Sequence, residues 1–341
     1  MKKNLLVFVI FNMMVSMSLY SQQWGLYTLY APSNSTQAFL VDTNGTTYKT
    51  WTFGSSAKTG FSNYLLPGDT LLRPVARSGN SLHGGGLTGE VQKVTWDGTV
   101  VWDYTYSSSS YCLHHDVCPM PNGNVLLTCY EVKSSTDASN AGCSSPTTIW
   151  SEKLMEVHPT GATTAIIVWE WKLWDHLCQS YSSTKPNYVT SISENPQLMN
   201  INYNVSQDWI HMNGIDYNAD LDQITFSSRT MNEIYVIDHS TTTAEAATHT
   251  GGNSGKGGDF LYRWGNPAAY GLTGTTNFDV VHDAHWIFSD DPTYPNYLCG
   301  FNNEGGAGGK SSVDIFNPPY DGFNYSYTAG SVIPPSTYGG F

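Results

Sequence analysis

Apolar and polar side chains alternate one for one along short runs of this chain, and Gly, Asn, Asp or Pro interrupts each run. A period of two belongs to half-buried β-strands, not to helices. Two kinds of hairpin recur. The first alternates around a polar or glycine turn and ends near a tryptophan: "FLVDTNGTTYKTWTF" (39–53), "VQKVTWDGTVVWDYTY" (91–106), "KLMEVHPTGATTAIIVWEW" (153–171), and a looser copy from "EIYVID" (233–238) to "FLYRWGNP" (260–267). The second is interleaved with it: "FSNYLLPGDTLLR" (61–73), "HHDVCPMPNGNVLLTCYE" (114–131), "HMNGIDYNADLDQITFSSR" (211–229) and "HDAHWIFSDDPTYPNYLCGFNN" (282–303). Its turns are Pro-Gly, Asn-Gly or Asn-Ala-Asp, residues that favour tight reversals.

One hairpin of each kind makes a four-stranded sheet, and serial four-stranded sheets build a β-propeller. Four units and the start of a fifth, "SSVDIFNPP" (311–319), are visible, so the expected fold is all-β, a β-propeller of about four and a half blades. A sandwich is the competing architecture, but sandwiches rarely repeat so plainly in sequence. Trp51, Trp102, Trp169 and Trp264 recur in the repeat and are expected to pack between blades. Residues 176–206 form a long insertion with weak helical character at best. Only 13% of the 341 residues are charged, while Tyr, Trp, Thr, Ser and Gly abound, which fits a single all-β domain.

Aligned on their turns, three of the second hairpins begin His114-His115-Asp116, His211-Met212-Asn213 and His282-Asp283-Ala284. Strand alternation puts His114 with Asp116, and His211 with Asn213, on one face, and turns His115 and His285 to the other. Innermost strands of a propeller converge on its axis, so His114, His211 and His282 are expected to meet there. A turn near Ala219-Asp220 sets His211 opposite Arg229; the Asn122-Gly123 turn sets His114 near Glu131. Three imidazoles could hold a divalent metal. A fixed guanidinium beside them would repel a dication, so neither metal nor cofactor is expected. A His and Arg cluster instead suits a tetrahedral oxyanion, which Arg meets with a rigid fork of donors. His83, His158, His176, His239 and His249 fall in loops or outer strands and read as surface residues.

Charge and compartment narrow the function. Residues 1–21, "MKKNLLVFVIFNMMVSMSLYS", read as a secretory signal cleaved near Ser21-Gln22, leaving 22–341 as the propeller domain. Losing Lys2 and Lys3 with the leader takes the net charge from −13 to about −15. So acidic a chain argues against nucleic acid as a partner. No later segment is long and apolar enough to span a membrane, and the expected location is periplasmic or secreted. Six cysteines in an exported chain allow disulfides, though Cys112, Cys118 and Cys129 on one hairpin could equally be buried thiols.

"HHDVCPMPNGNVLL", "DWIHMNGIDYNADLDQITFSSRTMNEIYVID", "DFLYRWGNPAAYG" and "HDAHWI" together resemble the bacterial arylsulfate sulfotransferases, with similarity spread over about residues 37–320. The resemblance implies a six-bladed periplasmic propeller that moves a sulfuryl group from a phenolic sulfate donor to a phenolic acceptor. It also implies that no nucleotide sulfate donor is used and that the reaction is ping-pong through a sulfohistidine. Carried onto the matching positions, His282 is the nucleophile, and His114, His211 and Arg229 bind the sulfuryl group. His115, Asp116, Glu131, Asn213, His285 and Asn302 are expected to support them. The family continues with further blade sequence where this chain stops, so C-terminal blade sequence is expected to be missing. A homo-oligomer is left open. Two other readings stand beside this one: a metal-dependent propeller enzyme of the polysaccharide-lyase kind with His114, His211 and His282 as ligands, and a non-catalytic exported propeller that binds glycans or proteins.

Overall fold

The computed structural model describes residues 25–306 and 308–340; the leader lies outside them. Five antiparallel sheets follow one another along the chain as the blades of an all-β propeller. Blade 1 holds Tyr27–Tyr30, Gln37–Asp42 and Thr47–Thr52, and in blade 2 Ala57–Thr59 and Tyr64–Leu66 share one edge of Thr70–Arg77, followed by Gly89–Val94 and Val100–Thr105. Blade 3 runs Tyr111–Pro119, Val125–Lys133, Ile149–Gly161, Thr164–Lys172, and blade 4 Met212–Asn218, Gln223–Ser228, Glu233–Asp238, Phe260–Trp264. Blade 5 runs Val281–Trp286, Leu298–Gly306, Lys310–Asn317, Thr337–Gly340. In blades 3 and 4 the second-kind hairpin is the inner half and the first-kind hairpin the outer half. The "SSVDIFNPP" segment does not open a new unit. It is the third strand of blade 5, and Thr337–Gly340 pairs beside it as the fourth. The resemblance implies six blades for the family; the described residues make five.

The recurring tryptophans stitch neighbouring blades. The indole of Trp51 donates to the Thr95 carbonyl in blade 2 at 3.1 Å, Trp102 to Thr164 of blade 3 at 3.2 Å, and Trp169 to the Thr241 hydroxyl after blade 4's third strand at 3.2 Å. Trp264 packs on Phe316 of blade 5 with ring centroids 4.7 Å apart. All four are buried. Each thus adds a large apolar area, and in the first three the one polar group is satisfied as well.

Carboxylates tie the inner strands. Asp116 Oδ2 accepts the backbone N–H of Ile215 at 2.8 Å, and one blade further on Asp216 Oδ2 accepts that of Trp286 at 2.8 Å. An inner strand has one edge without a sheet partner, and these aspartates satisfy part of it. Burial pushes the Asp116 carboxyl up to about 7 even so.

The 176–206 insertion folds back on the core: Leu177–Cys178 pairs in parallel with Met199–Asn200, and Leu177, Met199 and Ile201 are buried between blades 3 and 4. This corrects the surface reading of His176, which is fully buried. His239 is likewise largely buried, between Asp222 at 2.7 Å and Glu156 at 3.1 Å. All six cysteines are buried free thiols. No helix among the described residues is long and apolar enough to cross a membrane.

Candidate active site

Three adjacent inner strands break their ladders at the same end. The pairing skips between Leu127 and Cys129 opposite His114 to Asp116, between Met212 and Gly214, and between His282 and His285. Each break holds or adjoins a non-glycine residue at positive φ: His115 at 44° and Asp283 at 55° within theirs, and His211 at 51° just before Met212. A bulge inserts a residue without a partner and reverses which later side chains face the axis. Such backbone costs on the order of 1 kcal/mol or more per residue and gathers at functional sites.

The bulge in blade 3 exchanges the expected roles of its two histidines. His114 lies fully buried behind the cavity, its ring stacked on Tyr130 at 3.7 Å and its Nε2 2.9 Å from Glu152 Oε2. His115, expected to face away, lines the cavity instead, with its Nδ1 3.0 Å from His114 Nδ1. Glu131 does not approach His114. It pairs with Tyr111 across the ladder and holds Lys133 at 2.5 Å, because the bulge consumed the residues that should have set it opposite His114.

Blade 4 keeps its expected pair. The backbone N–H of Arg229 donates to the His211 carbonyl at 3.2 Å. His211 Nδ1 lies 2.6 Å from Asp208 Oδ2, and the other oxygen of Asp208 accepts the Tyr130 hydroxyl at 3.0 Å. Burial raises the Asp208 carboxyl, but the His211 and Tyr130 hydrogen bonds outweigh it and leave it below the usual carboxylate range. The carboxylate therefore stays ionised and fixes the ring of His211. That ring sits edge-on to His115 at 4.5 Å. The Arg229 side chain is exposed and has no hydrogen bond or ion pair among the described residues. Asn213 spans the next gap, donating to the Val281 carbonyl at 2.9 Å while accepting the Ser227 hydroxyl at 2.6 Å.

His282 of blade 5 lines the same cavity as His115. Its Nδ1 is 2.9 Å from the Val280 carbonyl. A carbonyl only accepts, so this contact puts the ring proton on Nδ1 and leaves the Nε2 lone pair free. The Asn303 side-chain amide lies 2.9 Å from the same Nδ1 with its nitrogen nearest, and a proton on Nδ1 requires that amide to be turned so that its oxygen accepts. Burial, with His211 and Arg229 nearby, holds His282 below the ordinary imidazole value, the Val280 carbonyl opposing them. His115 is held well below it by burial and then by His114, His211, His282 and Arg229. Three separated histidines and Arg229 thus share one electrostatic neighbourhood. His285 also lines the cavity, against expectation, because the bulge at Asp283 and Ala284 restores its face. Asn302 is one residue out: it pairs with Val281 and binds Asp314 at 2.8 Å, whereas Asn303 reaches His282.

The cavity measures about 840 Å³ and is edged by Phe61, Tyr64, Trp286, Phe288 and Phe301. Its lining mixes imidazoles and carboxylates with aromatic rings, which suits a small aromatic ligand with a polar group. The sequence reading missed Asp208, Asn303, Asp216 and the Gly84-Gly85-Gly86 run of blade 2. These glycines allow the backbone to close over the imidazoles: a Cβ on Gly86 would sit 1.8 Å from His115 Cε1, and one on Gly85 3.2 Å from His211 Cε1. A triple glycine beside the propeller mouth was the one signal that could have marked the approach.

With this geometry in view, the sequence matches the family model Arylsulfotransferase (ASST) over residues 21–308. The chain belongs to the arylsulfotransferase family. Membership supports aryl sulfotransferase activity in general, and phenolic substrates with it. No curated protein matches the chain. Among solved structures, a Bacteroides caccae protein of unknown function is 8% identical, with a TM-score of 0.45 over 86% of this chain and 69% of that one. Virginiamycin B lyase from Staphylococcus aureus is 10% identical, with a TM-score of 0.41 over 85% of this chain and 63% of its own. A putative 6-phosphogluconolactonase from Bacteroides fragilis is 11% identical, with a TM-score of 0.41 over 92% and 67%. Likeness this loose carries no argument about the arylsulfotransferase site.

Proposed function

We propose that this chain transfers a sulfuryl group from a phenolic sulfate ester to another phenol, without a nucleotide donor, by a ping-pong reaction through a sulfohistidine at His282. The observation that carries the reading is the disposition of His282. Its Nδ1 is tied to a backbone carbonyl, its pKa is lowered, and the unpaired guanidinium of Arg229 lies within electrostatic reach.

In the first half-reaction the Nε2 lone pair of His282 attacks sulfur. The N–S bond forms as the S–O bond to the aryl group breaks, and the electron pair leaves with the phenolate oxygen. Charge grows on the sulfuryl and phenolate oxygens, where Arg229 and ring N–H groups stabilise it; one such donor is typically worth about 3 kcal/mol. His211, oriented by Asp208, gives a proton to the departing phenolate. In the second half-reaction it takes the proton of the acceptor phenol, whose oxygen attacks sulfur and releases His282. His115, held neutral, packs against His211 and adds no fixed charge. The cavity's aromatic rim is the acceptor and donor ring platform. Secretion to the periplasm, expected from residues 1–21, would place the enzyme where phenolic sulfates reach it from outside the cell.

The test is mass spectrometry after brief exposure to 4-nitrophenyl sulfate. An adduct of the mass of SO3 on His282, discharged by added phenol, is expected. Turnover that persists in His282→Asn, or an adduct on another residue, would overturn the mechanism.

A further inference from the structure

Away from the aromatic cavity, the buried histidine at the start of the insertion meets two residues of blade 4's outer loop. His176, His249 and Asp259 place their donor atoms within 4.8 Å of one another. Asp259 Oδ1 lies 2.8 Å from His176 Nδ1 and 2.7 Å from His249 Nδ1. We propose that these three residues form a divalent transition-metal site, zinc by its ligand chemistry, that clasps the insertion to blade 4.

Proton counting motivates this. His176 Nε2 lies 2.8 Å from the Ala246 carbonyl, which only accepts, so Nε2 carries the ring proton. In the neutral ring Nδ1 is then a lone pair, aimed at a carboxylate oxygen that is also a lone-pair donor. His249 Nδ1 converges on the same oxygen. A cation between the three satisfies all of them at once. A carbonyl holding the distal N–H is also the usual partner of a metal-bound histidine, since it fixes the tautomer.

The surroundings are built to hold this arrangement. His176 is fully buried and Asp259 nearly so, which fixes two ligands. The imidazole of His249 is 58% exposed, which leaves a side open for the ion to enter and for water to complete a tetrahedron. Gly258 has no side chain because a Cβ there would sit 2.6 Å from His176 Nε2 and 2.1 Å from the Ala246 oxygen. Trp171 donates to the Gly258 carbonyl at 2.7 Å, pinning the loop from the core side. Lys256, the cation of this loop, has its Nζ over the Tyr327 ring at 5.3 Å. Two nitrogens and one carboxylate oxygen match zinc better than calcium or magnesium, which favour all-oxygen sets. Binding needs the donors to spread slightly, to the roughly 3.3 Å separation that metal–ligand distances near 2 Å impose.

Untagged mature protein, stripped with chelator and titrated with zinc chloride or cobalt chloride, tests this. One equivalent should bind, with cobalt giving the visible bands of a tetrahedral site. His249→Ala removes an exposed ligand without opening the core and should weaken binding at least about tenfold. His249→Cys should restore binding and add a thiolate-to-cobalt charge-transfer band. Zinc binding below one equivalent, or binding equal in wild type and His249→Ala, would overturn the site.

Discussion

The carbonyl of His211 accepts the backbone N–H of Arg229 at 3.2 Å, so an imidazole and a guanidinium leave the same rung of blade 4. The rung is rigid because Ser228 and Thr230, on either side of Arg229, anchor their hydroxyls on the Ile210 carbonyl at 2.5 and 2.9 Å. The guanidinium projects from a fixed base into solvent-accessible space.

Arg229→Ala should therefore cost activity and spare the fold. The expected loss in kcat/KM is about 10²- to 10³-fold, the usual cost of deleting a donor to developing charge. The thermal midpoint should stay close to wild type, since the side chain is exposed. Arg229→Lys should recover only part, because an ammonium lacks the planar fork. A kcat/KM within a factor of two or so of wild type in Arg229→Ala would remove the arginine from the reaction.

Asp208 acts through His211 at 2.6 Å. Asp208→Asn should lower kcat by about 10²-fold and displace the pH profile, while leaving the sulfohistidine able to form from a donor with a good leaving group. Leaving-group dependence is the diagnostic readout. If kcat falls equally for aryl sulfates of low and high leaving-group pKa, Asp208 does not position a proton donor.

Gly86 closes the site by contact. Its φ is 73°, and a Cβ would meet His115 Cε1 at 1.8 Å. Gly86→Ala should destabilise by more than about 1 kcal/mol and reduce activity. Gly85→Ala, at 3.2 Å from His211 Cε1, should be milder. Chemical denaturation with parallel rate measurements decides; equal effects at both positions would contradict the close approach.

Stability should fall on both sides of neutrality, for different histidines. His115 is held neutral well below its ordinary value by burial and neighbouring cationic groups, so the unfolded chain binds the extra proton first. Its contribution is present above the unfolded value of about 6.5 and is lost as pH falls below it. His239 behaves oppositely. Burial lowers it, but Asp222 and Glu156 raise it further, to about 9. Its contribution is full below about 6.5 and is lost as pH rises through 9. His239→Gln should flatten the alkaline loss only. Denaturation curves near pH 5, 7 and 10 check this, and an unchanged alkaline slope in the variant would refute it.

The hairpin alternation and turn residues were enough to read the propeller, because a period of two and an Asn-Gly or Pro-Gly turn are local properties. The four tryptophans were legible for the same reason: each recurs at one place in the repeat and has one physical use. Even the His211 and Arg229 pairing survived, by cancellation. The turn is longer than read, with Asn218 paired to Gln223, and the bulge at Asn213 absorbs the difference by Met212 and Ser228. In blade 3 nothing cancelled. The bulge at His114 to Asp116 moved Glu131 away, buried His114 against Glu152, and put His115 in the cavity.

What the sequence by itself determined is therefore the sheet order, the repeat and the set of imidazoles brought to one end of the inner strands. What only the tertiary structure decided is which imidazole faces the cavity, which is buried behind it, and that Asp208, Asn303 and the blade 2 glycines stand beside them. The physical reason is parity. Alternation is a rule modulo two, a single inserted residue inverts it, and whether a strand bulges depends on hydrogen bonds offered by the neighbouring blade, such as Gly86 accepting from the His115 amide at 2.7 Å.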